Sequence, residues 1–152
     1  MTITRGFVIM AQDVDGSSTY LSCARALDLS IKRVMPNASV TILTTDKLPY
    51  GDLDPTGSWK LINDWQVYEA SPYDETIKIE ADIYIPRSIN HWWDILGQRD
   101  VVVCTKIRNF RGEISKERFY RRFIDDNQLP DAYNAITYFK KSDTAEQFFK
   151  IV

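Results

Sequence analysis

The sequence is poor in the residues that build chemical cages. Its two cysteines, Cys23 and Cys104, lie far apart and form no CxxC pair, which excludes a disulfide scaffold and a zinc knuckle. A reducing compartment fits that usage. The single histidine, His91, sits beside Trp92 and Trp93, where packing or surface exposure accounts for it better than ligation. No apolar stretch approaches the roughly 18 residues that cross a bilayer. The apolar run from Phe7 to Ala11 is too short for a signal-peptide core. The expectation is therefore no membrane insertion and a cytoplasmic setting. Neither sign of charge prevails: 19 basic residues face 21 acidic ones, a net charge of −2. That excludes a generally polycationic partner for nucleic acid, though not a local patch. Internal repeats and low-complexity segments are also missing.

What is present is a chain of 152 residues, 44% of them hydrophobic, enough for one domain with a sizeable core. Gly6 to Ala11 is a continuous apolar run, the mark of a strand buried on both faces. A loop over 12–18 leads to a helix over 19–35, in which Tyr20, Cys23, Ala24, Leu27, Ile31 and Val34 recur at helical spacing; Pro36-Asn37 ends it. Ser39 to Thr44 is rich in β-branched residues and reads as a second strand. Residues 46–58 form a long loop, and 59–70 are compatible with a helix. Thr76 to Ile85 alternates strictly, with isoleucines and Ala81 on odd positions and Lys78, Glu80, Asp82 and Tyr84 on even ones, predicting a third strand whose second half is free to bend into a loop at Pro86. Ser88 is placed to cap a short helix with Trp92, Trp93, Ile95 and Leu96. A fourth strand over 100–104, a helix with a basic side over 113–127 and a fifth strand over 135–139 follow. Asp143 to Glu146 reads as a capping box that opens a last helix. This order predicts the α/β class, a mostly parallel Rossmann-like sheet flanked by helices. The last helix ends on apolar residues without a stop signal, as if the chain were cut short or completed by a partner.

The sharpest local feature is Glu80-Ala81-Asp82 at the end of the third strand. Side chains two apart on a strand point the same way. Two carboxylates would thus share one side at the carboxyl edge of the sheet, where α/β folds place ligands. Neighbouring carboxylates repel unless a cation lies between them. A hard divalent ion such as Mn²⁺ or Mg²⁺ suits oxygen ligands and accepts phosphate oxygens as well. Taken alone, the tripeptide reads first as two solvated acids at a strand end.

Four stretches give it a context. They are Phe7 to Gln12 with Tyr20; Val40 to Asp46; Pro72 to Ile85 with Ile89 and Asp94 to Leu96; and Tyr133 to Ser142 with Phe148. In order and approximate spacing they resemble the GT-A glycosyltransferases, most of all the glycogenin-like and galactosyltransferase-like retaining group. The sequence also resembles proteins of tailed bacteriophages, which would place it in a host cytoplasm. The resemblance implies a single domain over 1–152, GT-A-like and incomplete at its C-terminus, which binds a nucleotide-diphosphate sugar and lacks the acceptor-binding portion. It makes Glu80 and Asp82 the metal ligands, with Mn²⁺ or Mg²⁺ as cofactor. It sets Met10, Ala11, Gln12 and Tyr20 around the base and ribose, with Thr45 and Asp46 beside the base. It also counts Ala81, between the two acids, among the residues that bind the nucleotide sugar, and Lys60 resembles a family lysine near the sugar phosphate. Asn134 and Ala135 would face the donor sugar. Ile136 stands where the family has a glycine, and the family's downstream histidine ligand has no counterpart. The implied activity is metal-dependent sugar transfer from a UDP-sugar to an unspecified acceptor. No catalytic nucleophile stands out. Two other readings remain: a non-catalytic GT-A module that acts through protein or nucleic acid, and a nucleotidyltransferase.

The segment from Thr105 to Arg122 is basic, and Arg118, Arg121 and Arg122 share a helix face with aromatics interleaved. That pattern is compatible with phosphate tracking along a nucleic acid or an anionic acceptor. A solvated helix that pairs with the acidic stretch over 46–82 explains it more simply.

Overall fold

The computed structural model describes all residues except 1, 14–16, 58–59, 106–107, 109–110, 114–124, 131 and 152. Five strands form its sheet: β1 (Arg5–Ala11), β2 (Val40–Thr44), β3 (Glu75–Glu80), β4 (Val101–Thr105) and β5 (Ala132–Lys140), in the order β2-β1-β3-β5-β4. Among the described residues the helices include α1 (Thr19–Val34), α2 (Val67–Ala70), α3 (Trp92–Leu96) and α4 (Asp143–Ile151). Residues Lys60–Gln66 form a 3₁₀ segment that runs into α2, where the sequence is compatible with one longer helix. The basic helix expected over 113–127, with Arg118, Arg121 and Arg122, lies mostly outside the described residues.

The sheet meets the expectation of a mostly parallel arrangement only in part, because it is mixed. β1 pairs in parallel with β2 and β3, but β5 runs antiparallel to both β3 and β4. Hydrophobic patterning marks a strand and carries no information about its direction. The reversal has a consequence for the site: the start of β5 lies at the same edge as the ends of β1 and β3. In register, Met10 stands beside Leu43 on one side and Glu80 on the other.

β3 is also shorter than its alternation predicts. It ends at Glu80, and Ala81-Asp82 form a turn closed by the Ile83 N–H donating to the Glu80 carbonyl at 3.4 Å. The apolar rhythm persists because the chain after the turn drops Ile85 and Ile89 onto the core, pinned by Ile85 N–H on the Ser30 hydroxyl at 3.1 Å. Two caps differ as well. Ser88 accepts Asn90 N–H at 3.4 Å in a turn, and α3 starts later, after His91. At α4 the capping side chain is Ser142, whose hydroxyl accepts the Ala145 N–H at 3.3 Å.

The two faces of the sheet carry separate cores. On one, Phe7, Ile9, Ile77, Ile79 and Tyr138 pack against Ala24, Leu27 and Ile31 of α1 and Trp93 of α3. On the other, Val8, Met10, Leu43 and Phe139 pack against Val67 of α2 and Ala145 and Phe149 of α4. Both faces of β1 are covered, as its unbroken apolar run requires. Gly6 is needed for close approach, since a Cβ there would lie 2.3 Å from the Tyr73 ring.

Candidate functional site

A cavity of about 420 Å³ opens at the carboxyl edge of β1 and β3. It gathers Met10, Gln12, Tyr20, Lys60, Glu80, Ala81 and Asp82 from the sequence-derived candidates, and adds Asp64, Lys78 and Tyr133. Ala11, Thr45, Asp46, Asn134 and Ala135 do not line it. Ala11 is buried in the α1-side core. Thr45 and Asp46 lie in a short 3₁₀ turn after β2, where Asp46 is exposed and a hydrogen bond from the Thr44 hydroxyl holds its carboxyl below the usual range. Ala135 lies on β5, and Asn134 lines a neighbouring cavity.

Each wall has a local cause. The rim at Tyr20 is set by Asp13, whose carboxylate accepts the Tyr20 N–H at 2.7 Å and the Leu21 N–H at 3.2 Å. An acid there satisfies orphan donors and complements the positive end of α1. Tyr20 is left 46% exposed at the mouth. Glu80 closes β3 half-buried, and Asp82 is exposed in the following turn. The shared side of the two acids thus comes from a strand end and a turn rather than from an extended strand. Among the described residues no three metal-ligating side chains cluster. A cation held here would take carboxylate oxygens from Glu80 and Asp82, and further oxygens from its phosphate ligand and water. That hard-oxygen donor set fits Mg²⁺ or Mn²⁺.

The floor is a buried polar network that the sequence reading did not identify. Lys78, 1% exposed, donates to the Asp64 carboxylate at 2.7 Å and to the Asn134 carbonyl at 2.9 Å. Asp64 also accepts from Gln12 at 2.9 Å and from the Asn134 amide. Gln12 in turn accepts from Asn63 at 2.9 Å, and Asn63 donates to Asp52 at 2.9 Å. Lys60 pairs with Asp52 and donates to the Asp54 carbonyl at 2.6 Å, so its ammonium is held in the cavity wall. The Lys60 ammonium holds the Asp52 carboxyl below the usual carboxylate range. Asn63 and Gln66 are fully buried within the same web. Burying a charge pair is costly and a packed apolar substitute is often as stable. Such a network rests on every member being satisfied. The signal in the sequence was Lys78 itself, a lysine inside a strand flanked by apolar residues, which must find a buried anion if that strand lies centrally.

No family model and no curated protein matches the sequence. Among solved structures, mouse xyloside xylosyltransferase 1 in its apo form aligns over 95% of this chain and 71% of that chain, with a TM-score of 0.56 and 10% sequence identity. At that identity the likeness is one of fold: an α/β arrangement shared with a glycosyltransferase.

Proposed function

We propose that the protein is a glycosyltransferase domain that binds a nucleotide-diphosphate sugar in the cavity at the ends of β1 and β3. The observation that carries this reading is the meeting of Gln12 and Tyr20 with Glu80 and Asp82 in one cavity, on a fold shared with a xylosyltransferase. The UDP base, the choice of Mn²⁺ or Mg²⁺, the bacteriophage association and the cytoplasmic setting come from the sequence resemblance and belong to the same proposal.

In this reading the exposed Tyr20 ring and the Met10 side chain meet the base and ribose at the mouth. Gln12 is fixed through its amide to Asp64 and through its carbonyl to Asn63, so that end is pre-organised. Glu80 and Asp82 would hold the divalent ion. When bound, that ion neutralises the diphosphate and makes it a better leaving group. Lys60 and Lys78 keep their charges balanced by Asp52 and Asp64 and thereby shape the wall.

Calorimetric titration of UDP-sugars with and without Mn²⁺ tests the proposal. Metal-enhanced binding that Asp82→Asn removes is the expected result. Equal heats with and without metal, unchanged in Asp82→Asn, would overturn it and favour a non-catalytic module of the same fold.

A further inference from the structure

A second cavity, of about 370 Å³, adjoins the first; Leu61, Asp64 and Lys78 line both. Its chemistry is different. Ile62, Trp65, Val67, Val103, Phe148 and Phe149 make it apolar and aromatic. Its rings are packed against other rings. Trp65 stacks on Tyr50 with centroids 5.2 Å apart, and Phe149 stacks on Tyr68 at 5.2 Å and meets Phe139 edge-on at 5.0 Å. A wall so fixed costs little ordering when a ring lies against it.

The polar groups of this cavity form one connected corner. Asp64, Lys78 and Asn134 are mutually bonded, and Thr137 donates to the Asn134 side chain at 3.3 Å. That corner includes the wall shared with the first cavity. Lys78 has three N–H donors, of which the described partners take two. An apolar chamber of a few hundred Å³ with polar groups converging at one end is the usual form of a small-molecule site.

We infer that this cavity binds a small hydroxyl-bearing aromatic molecule, its ring against Trp65 and Phe149 and its hydroxyl toward Lys78. Its role as sugar acceptor rests on the proposed function. In that role the acceptor oxygen bonds to the anomeric carbon of the donor. The bond from that carbon to the phosphate oxygen breaks, its electron pair stays on the diphosphate, and the hydroxyl proton passes to that leaving group.

4-Methylumbelliferone, a fluorescent phenol, is the probe, titrated into the full chain. Val103→Trp and Ile62→Trp fill the chamber from two partly exposed positions without touching the first cavity. Each is expected to weaken probe binding by about tenfold or more, with UDP-sugar binding and the thermal midpoint unchanged. Methyl glucoside, which has no aromatic ring, is expected not to displace the probe. No probe binding at millimolar concentration, binding indifferent to both variants, or displacement by UDP-sugar or methyl glucoside would overturn the inference. Probe binding that the variants block, in a protein that binds no UDP-sugar, would remove the proposed function and leave the aromatic site standing.

Discussion

The two faces of the sheet are built on opposite principles. Against α1, the sheet presents Phe7, Ile9, Ile77, Ile79 and Tyr138, an apolar surface sealed by Ala24, Leu27 and Ile31. Against the 3₁₀ segment and α4, the same strands present Val8 and Phe139 but also Thr76 and Lys78, and Asp64 pairs with Lys78 beside the buried Asn63 and Gln66. The first face can be stable with no specific partner geometry, because hydrophobic burial is non-directional. The second is stable only if every donor meets its acceptor. Both cavities border Asp64 and Lys78 on that second face. The difference teaches where this fold keeps its precision: one face supplies free energy, and the other holds groups in place.

The strongest way to break that comparison is Lys78→Met. It leaves the Asp64 carboxylate in the floor without its ammonium partner, and the expected loss is about 3–5 kcal/mol in urea unfolding. A loss below about 1 kcal/mol would show that the network does not hold this face. On the apolar face, Ile79→Ala, at a fully buried position, should cost about 2–5 kcal/mol while leaving UDP-sugar binding per folded molecule unchanged. The paired replacement Lys78→Met with Asp64→Leu sharpens the contrast. It removes both charges at once, so it should cost less than Lys78→Met alone, yet weaken ligand binding because Gln12 and Asn134 lose their anchor. A double-mutant cycle read by denaturation and calorimetry separates the two effects.

The smallest effect is acidic. Asp52 is held below the ordinary carboxylate value of 3.8 by Lys60. A depressed carboxylate contributes stability that is fully present above the unfolded value and is lost as pH falls through the folded one. Asp52→Asn should therefore lie below the parent in urea midpoint at pH 7, and the gap should close as pH drops under 3.8. A gap that persists at low pH would place the contribution in packing rather than in charge.

Much of the sheet was legible because its signals are local. The run through Phe7 to Ala11 needs burial on both sides, and it has it. The spacing of Ala24, Leu27 and Ile31 gives α1 one apolar face, and those residues are its buried ones. The end of β3 was legible only in part: Pro86 allowed a bend, but Ile83 and Ile85 keep the rhythm of a strand while packing on the core after the turn at Ala81-Asp82. Of the cavity, the acids of 80–82 and Gln12 were visible as chemistry at strand ends. The pairing of Asp64 with Lys78 was not: Lys78 inside an apolar strand calls for a buried anion, but its partner stands 14 residues away on another element and by itself looks like an ordinary surface charge.

By itself the sequence determined which segments become strands and helices and which residues can carry charge to the sheet edge, because periodicity and residue chemistry are properties of neighbours along the chain. Only the tertiary structure decided that β5 runs backwards between β3 and β4, and that a lysine in the middle of β3 is buried against an aspartate from the 3₁₀ segment. Direction and pairing depend on contacts between residues remote in sequence, and a buried charge reveals its partner only when the chain has folded around it.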